Sequence, residues 1–368
     1  MIHEPADFPM RFDNINLLRA FAAIAVVVYH VIEHTNWVSF PHGGPWVIFR
    51  LGWMGVDLFF VISGFLITYS ALLLYRKTPA TFASNYWRRR LTRILPLYLL
   101  TMTLWIAFCW DGFFLQDTRD WVWQLFTHLT FIHSFWPETH GAIDGANWSL
   151  ALEMQFYLLI ALLIRWIDRT PGWLIWVIGI SIAWAWRATM LVLYGHGETF
   201  TLFLHITQLP GTLDEFGAGM FLAKYVLAQR DKAINQSWRP SRQTLGWLAA
   251  CLLAGYVTMK VFWAGGAYWD KAHMVIFWRT LLATALMCVL ALAIYLPQVI
   301  AMRWMHPVDQ LGEISYGIYL WHLFAIQFAA GISGITSLQT LVVVLALTLL
   351  AAMCSWHYME KPIMEMAR

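Results

Sequence analysis

The chain has few charged residues and no polar stretch long enough to form a water-soluble domain. Charged residues make up 12% of its 368 residues, about half the share of a soluble globular protein. The net charge of +3 is too small to favour nucleic acid as a partner. The cysteines argue against a disulfide framework or a metal cluster, because all four lie in apolar runs. They are Cys109, Cys251, Cys288 and Cys354. The sequence also contains no low-complexity linker and no repeat of fixed period.

Long apolar runs dominate the chain instead. Hydrophobic residues make up 60%, and the 23 tryptophans suit the interfacial belts of many membrane-spanning helices. Windows of about 20 apolar residues predict an all-α polytopic bundle of ten spans. The predicted spans are 17–36, 54–75, 93–111, 148–167, 173–194, 207–228, 244–262, 274–296, 312–330 and 337–358. A shorter apolar segment, 119–135, carries His128 and His133 and is expected to be re-entrant or interfacial.

The distribution of basic residues orients the predicted bundle. With ten spans and a cytoplasmic N-terminus, 18 of the 24 Lys and Arg residues lie on the cytoplasmic side, as the positive-inside rule expects. Both termini are then cytoplasmic. Residues 1–16 are polar and carry no cleavage site after an apolar core, so the first helix is expected to remain as an anchor. We expect residues 1–368 to form a single membrane domain.

Arg19 and His30 lie eleven residues apart inside the first apolar run. Eleven residues of α-helix turn through about 1100°, only about 20° more than three full turns, and rise about 16 Å. The two side chains therefore share one stripe, with Arg19 near the helix start and His30 past the middle of the membrane. Ionisable residues at such depth usually mark a substrate or proton pathway. The separation also approximates the length of a pantetheine arm, so one molecule could have phosphates at Arg19 and its reactive end at His30.

Two carboxylates are predicted at nearly the depth of His30. Asp57 opens the second helix, and Glu153 lies about 9 Å below the outer end of its helix. Carboxylates inside a bilayer are costly unless they have a partner or a function. A histidine beside a carboxylate is also the arrangement of a general base, because the carboxylate fixes the imidazole tautomer. Asp57 could instead cap its helix, whereas Glu153 lies too deep for a cap.

Five motifs follow one another along the chain in a fixed order. They are Arg19 with His30, GVDLFFVISGFL, RRRLTRILPLY, NWSLALEMQFYLL and SYGIYLWH. Together they resemble the integral-membrane acyltransferase-3 family, and the similarity covers about residues 15–362. The resemblance implies a bacterial O-acyltransferase that modifies surface polysaccharides and uses cytoplasmic acyl-CoA, usually acetyl-CoA. It implies functional roles for Arg19 and His30 and for the basic motif with Arg90 and Arg93. Many relatives append an SGNH-type esterase domain, which we do not expect within this chain.

The expected catalytic residues are His30, Glu153 and Asp57. His30 would remove the proton of an acceptor hydroxyl, while Asp57 or Glu153 would orient the imidazole or the acceptor. The expected donor-binding residues are Arg19, Arg90, Arg93 and Tyr319, since guanidinium groups suit phosphate. Tyr319 and His322 either line the donor path or simply pack. A covalent acyl-histidine intermediate and direct transfer are both left open.

The same residues also have structural interpretations. Arg19 could be a snorkelling anchor, and the basic run 88–93 is by default a topology signal. Ser63 lacks the surroundings of a nucleophile elbow, and the Ser63–Gly64 pair favours close helix packing. His128, His133 and His140 lack the spacing of a zinc finger or an H-E-x-x-H motif, so no metal is expected.

Two classes of function remain: transmembrane acyl transfer, and transport of a polar solute or protons through the same charged interior. Transporters often contain internal repeats and paired broken helices, which this sequence lacks. The stripe from Arg19 to His30 also suits one long donor better than a solute path. We therefore expect an acyl-CoA-dependent O-acetyltransferase of the bacterial inner membrane. Its acceptor would be a glycan or lipid-linked oligosaccharide, and a homodimer is left open.

Overall fold

The chain forms the expected all-α bundle in the part that the structure describes. The computed structural model describes residues 12–195, 198–229, 242–266, 268–296 and 305–366, and these ranges contain no β-strand. The helices are α1 (Asn14–His34), α2 (Val47–Arg50), α3 (Met54–Lys77), α4 (Phe82–Phe108), α5 (Thr118–Leu129), α6 (Asn147–Arg169), α7 (Gly172–Tyr194), α8 (Thr199–Ile206), α9 (Leu213–Gln229), α10 (Arg242–Gly265), α11 (Arg279–Tyr295), α12 (His306–Glu313), α13 (Ser315–Ala330), α14 (Ser337–Ser355) and α15 (Lys361–Met366).

All ten predicted spans coincide with helices, and eight of them are long and apolar enough to cross a membrane. The other two are α9, with 17 residues, and α13, with 16 residues. At 1.5 Å per residue each reaches only about 25 Å, against a hydrocarbon core about 30 Å thick. The protein is thus a multi-pass membrane bundle, and ten crossings with cytoplasmic termini stay a prediction. The basic residues at 11, 230, 232, 239, 303 and 368 used for that topology lie outside the described residues.

Three predicted segments have different bounds in the structure. Helix α4 begins at Phe82 rather than residue 93, so the whole basic run lies on a helix. The predicted span 207–228 becomes a 3₁₀ turn, Leu209–Thr212, followed by α9. The span 312–330 is divided at Ile314 into α12 and α13. Segment 119–135 forms the twelve-residue helix α5, too short to cross, and its interfacial location stays a prediction.

Helix α3 lies at the centre of the bundle, in contact with α1, α4, α6, α9 and α11. Its contact with α9 depends on two glycines. A Cβ atom at Gly64 would come 2.2 Å from the Phe216 carbonyl oxygen, and one at Gly219 would come 2.2 Å from that of Val61. Small residues let membrane helices approach this closely. The packing role predicted for Gly64 is confirmed, and it brings the polar start of α9 against α3.

Two short π-helical segments interrupt the regular helices. One, Met274–Trp278, leads directly into α11, and the other, Trp356–Glu360, follows α14. A π turn contains an extra residue, and such turns occur frequently at functional sites. Here Arg279 follows the first segment immediately and Glu360 ends the second. Both charged side chains are buried.

Candidate active site

Two adjoining cavities lie within the bundle. The first, the arginine cavity, has a volume of about 210 Å³ and is lined by Arg19, Arg90 and Arg93 together with Glu153. The second, the histidine cavity, has a volume of about 540 Å³ and is lined by residues that include His30, Asp57, His140 and Arg279. Val56 and Tyr319 belong to the walls of both. The stripe from Arg19 to His30 therefore connects two chambers separated by Val56 and Tyr319.

Arg90 is held mainly by aromatic rings. Its guanidinium lies 5.6 Å from the ring centre of Tyr86 and 5.4 Å from that of Tyr157. It also donates a hydrogen bond to the Ser70 hydroxyl. These contacts orient the guanidinium group without neutralising its charge, because no carboxylate is among them. Its neighbours Arg88 and Arg89 are exposed, as expected for side chains at a headgroup surface.

Arg93 has one weak ion pair. Its Nη1 atom lies 3.4 Å from Oε2 of Glu360, and its Nη2 donates to the Glu313 carbonyl at 3.2 Å. The guanidinium also lies 5.1 Å from the ring centre of Trp356. Glu360 is brought to Arg93 by the second π-helical segment. Glu360, near the end of the chain, thus contributes to the surroundings of the basic motif.

Arg19 and Glu153 complete the charged wall of the arginine cavity. The one hydrogen bond of Arg19 is a long contact of 3.4 Å from Nη1 to Oδ1 of Asn16. Oε1 of Glu153 accepts hydrogen bonds from the Ser63 hydroxyl at 3.2 Å and the Tyr157 hydroxyl at 2.7 Å. Among the described residues that line this cavity, three guanidiniums therefore face one carboxylate. The surplus positive charge suits an anionic ligand.

The ring of His30 is fixed by a carbonyl and by a second histidine. Its Nδ1 lies 2.9 Å from the Val26 carbonyl oxygen and 3.3 Å from Nε2 of His322, whose own Nδ1 lies 2.6 Å from the Tyr319 carbonyl oxygen. A carbonyl oxygen only accepts, so both Nδ1 atoms carry the proton. His322 Nε2 then accepts from His30, and Nε2 of His30 keeps its lone pair. This atom is free to accept a proton in the histidine cavity.

The two carboxylates predicted beside His30 are bonded elsewhere. Glu153 lies in the other cavity, and Asp57 accepts a 2.7 Å hydrogen bond from Nη1 of Arg279. The sequence predicts that Asp57 or Glu153 orients the imidazole or the acceptor. These bonds do not lead to the imidazole, which is contacted by His322, and the role toward the acceptor stays a prediction. The reason is that α11 contributes a buried arginine that binds the Asp57 carboxylate. Their catalytic roles stay predictions.

Arg279 belongs to a buried ionic cluster that sequence analysis missed. Arg187 donates two hydrogen bonds to Asp214, at 3.0 and 2.8 Å, and Nη1 of Arg279 lies 3.4 Å from Oε1 of Glu215. All of these side chains, with Asp57, are at most 6% exposed. The signal was present, because Arg187 and Arg279 lie in apolar runs where an ionisable residue needs a partner. In the predicted topology both belong to the six basic residues that lie on the opposite side of the membrane or in its outer leaflet.

Tyr319 is fixed at the boundary between the two cavities. Its hydroxyl donates to the Ala146 carbonyl at 3.1 Å and lies 2.7 Å from the Ser149 hydroxyl. Both partners stand at the beginning of α6. The ring therefore has a defined position between Arg19 and His30, where a long donor would pass.

The remaining predicted histidines cluster near the beginning of α6. The rings of His128 and His133 stack in parallel with centres 4.1 Å apart, and both are fully buried. Burial lowers the pKa of His128 to about 3 and that of His133 to about 4, so both are neutral. In the part of the chain that the structure describes, no group of His, Cys, Asp or Glu is arranged to hold a metal ion.

Comparison with known proteins identifies this arrangement. Residues 12–359 match the family described as the acyltransferase domain. The chain belongs to this family. The chain is 26% identical to the peptidoglycan O-acetyltransferase OatA of Listeria monocytogenes, over 95% of this chain and 55% of that protein. It is also 26% identical to the O-acetyltransferase OatA of Staphylococcus aureus, over 96% of this chain and 57% of that protein.

The chain spans little more than half the length of these relatives. No solved structure matches it. The family resemblance inferred from the five sequence motifs is confirmed by a match over nearly the whole chain. Donor, acceptor and the roles of individual residues are not given by these similarities.

Proposed function

We propose that the protein moves an acetyl group from acetyl-CoA to a hydroxyl of an extracytoplasmic or lipid-linked glycan. The observation that carries this proposal is the pair of adjoining cavities, one with surplus arginines and one with an unprotonated histidine nitrogen. Family membership favours acyl transfer over the transporter alternative. The name of one relative favours a peptidoglycan-like acceptor. The location proposed with it is the bacterial inner membrane, and the apolar helices support a membrane location.

The arginine cavity would bind the phosphates of the donor. Coenzyme A carries a diphosphate and a further phosphate, and Arg19, Arg90 and Arg93 offer three planar forks with little carboxylate competition. The narrow pantetheine arm would then pass Val56 and Tyr319 toward His30. A path of about 16 Å along α1 corresponds to the length of that arm. Glu153 would fix Ser63 and Tyr157 in the wall beside the donor.

His30 would act as general base through Nε2. The acceptor oxygen attacks the thioester carbonyl carbon while its proton moves to Nε2, and the carbon–sulfur bond breaks as the tetrahedral intermediate collapses. The proton then passes from His30 to the departing thiolate, so that the products are an ester and free coenzyme A. A covalent acyl-histidine step in the same place is the alternative to direct transfer.

His322 would stabilise the charged form of His30. Since Nδ1–H of His30 points at Nε2 of His322 and the Val26 carbonyl, two acceptors face the imidazolium proton that remains during catalysis. This is the role expected earlier of a carboxylate. Asp57 would instead hold Arg279 in the wall of the histidine cavity.

The test is a transfer assay with the full chain in lipid nanodiscs. Radiolabelled acetyl-CoA is supplied with a peptidoglycan-type glycan, and labelled ester is measured. Transfer in the wild type, and its loss when the histidine cavity is altered, would support the proposal. Binding of the glycan without any use of acetyl-CoA would refute the assigned donor. Uptake of a solute by sealed vesicles, without ester formation, would favour transport.

A further inference from the structure

The buried ionic cluster beside the histidine cavity contains more carboxyl groups than cations. Its members are each at most 6% exposed, and they are Asp57, Arg187, Asp214, Glu215 and Arg279. In the described part of the chain, the ion pairs of these side chains involve only one another. Three carboxylates and two guanidiniums would give a net charge of −1. An uncompensated charge shielded from water is strongly unfavourable, so the cluster needs one further positive charge.

Glu215 is the carboxyl group that the two arginines hold least closely. Its Oε1 lies 3.4 Å from Nη1 of Arg279 and 3.6 Å from Nη2 of Arg187. Its Oε2 is buried and has no donor among the described residues. Asp214, by contrast, accepts hydrogen bonds from Arg187 at 3.0 and 2.8 Å and another from the Thr280 hydroxyl. A buried charged oxygen without a donor costs far more than a neutral carboxylic acid, so Glu215 is the group best suited to carry a proton.

Asp57 lies next to Glu215 and can accept a hydrogen bond from it. Nη1 of Arg279 lies between the two groups, 2.7 Å from Oδ1 of Asp57 and 3.4 Å from Oε1 of Glu215. The two carboxyl groups are also within hydrogen-bonding reach of each other. Like charges so close together in a low-dielectric interior do not both ionise, and such pairs share one proton.

A proton fits this position better than a metal ion. In the described residues, no group of His, Cys, Asp or Glu is arranged to hold a metal ion, and the two guanidiniums would repel one. A proton needs no space of its own, and it converts the repulsion between the two carboxylates into a hydrogen bond. The hydroxyl of Tyr268, which contacts Arg279, is neutral and leaves the charge balance unchanged.

We propose that Glu215 and Asp57 bind one proton, which Glu215 carries and donates to Asp57. The neutral acid leaves Asp57 as the counter-charge of Arg279 and so fixes this arginine in the wall of the histidine cavity, which both residues line. Glu215 is not one of the residues that line the cavity, and it is therefore a positioning residue that acts through Asp57. The proton site belongs to the protein without substrates, so it does not depend on the identity of donor or acceptor.

Infrared spectroscopy of the full chain in nanodiscs detects the proton, because a carboxylic acid and a carboxylate absorb in separate bands. At neutral pH we expect Glu215→Gln to remove one carboxylic-acid band from the wild-type spectrum. Glu33→Gln is the control, since Glu33 is exposed and its substitution should remove only a carboxylate band. If Glu215→Gln keeps every carboxylic-acid band of the wild type, the proposal is overturned.

Thermal unfolding in detergent tests the same charge independently. Glutamine resembles the neutral acid in shape and charge, so Glu215→Gln should unfold within about 2 °C of the wild type. Asp214→Asn is the matched comparison, because this neighbouring side chain is equally buried but is bound as a carboxylate by Arg187. Its unfolding temperature should fall by about 5 °C or more, as for a broken buried ion pair. Equal losses in the two variants would show that Glu215 is ionised and would refute the shared proton.

Discussion

The two cavities differ in what their charged side chains are bonded to. In the arginine cavity, Arg19 and Arg90 contact rings, hydroxyls and an amide, so their charge remains available. In the histidine cavity, Arg279 is bonded to Asp57 and its charge is neutralised. The same residue type therefore prepares one cavity for a polyanion and leaves the other suited to a neutral ligand. Substitutions in the two cavities should affect different kinetic parameters.

His30→Ala should give the largest difference between its effect on the transfer rate and its effect on donor affinity. Losing the general base should lower the transfer rate by about 10²–10⁴-fold, because proton removal contributes that much to such steps. Affinity for acetyl-CoA should change little, since the arginines lie in the other cavity. Single-turnover transfer and equilibrium donor binding measure the two effects. Retention of more than about a tenth of wild-type transfer would remove His30 from the role of general base.

Arg279→Leu should show that the arginine of the histidine cavity contributes more to the stability of the fold than an arginine of the arginine cavity. It leaves the buried carboxylate of Asp57 without its cation and leaves Glu215 with Arg187 alone, and breaking a buried pair in this way costs about 3–5 kcal/mol. Thermal unfolding in detergent measures the loss. Arg19→Leu is the matched control, because Arg19 forms no ion pair among the described residues and its removal should leave the unfolding temperature nearly unchanged. Equal losses in both variants would contradict the distinction.

Glu153→Gln tests whether this carboxylate affects use of the donor or use of the acceptor. The amide keeps an acceptor for Ser63 and Tyr157, but the bonds lose their charge and the arginine cavity loses the carboxylate among its described lining residues. We expect kcat/KM for acetyl-CoA to fall about tenfold, since charge-assisted bonds are roughly twice as strong as neutral ones. Glu138→Gln, at an exposed loop position, should stay near wild type. A change confined to the acceptor KM would instead support the sequence-based role of Glu153 at the acceptor.

Arg19→Lys should have the smallest effect. A point charge replaces a planar fork, so KM for acetyl-CoA should rise about fivefold while KM for the acceptor stays the same. Arg88→Lys, at an exposed position of α4, provides the comparison and should alter neither. The reverse pattern, with only the acceptor KM affected, would show that Arg19 does not bind the nucleotide. It would contradict the proposed path of the donor from Arg19 to His30.

Sequence analysis located the helices and the arginine cavity because both depend on local patterns. Apolar length marks helices directly, and the spacing of Arg90 and Arg93 puts them near one face of α4. The partner of His30 could not be found in this way. His322 lies 292 residues from His30, Arg279 lies 222 residues from Asp57, and even Arg187 lies 27 residues from Asp214, on another helix. A charged side chain within an apolar run indicates that it has a partner, but only the tertiary packing of the helices decides which side chain that partner is.

The π-helical segment before Arg279 has a consequence for how this family tolerates insertions and deletions. A π turn holds one residue more than the α turn it replaces and leaves the flanking helix in nearly the same orientation, so removing a single residue from Met274–Trp278 would restore the regular helix and keep Arg279 facing Asp57. The same deletion inside the regular part of α11 would turn the residues after it by about 100° relative to Arg279. Two alignments that place the gap in these two positions look equally good by hydropathy, but only the gap in the π segment keeps Arg279 and the rest of α11 on their present faces.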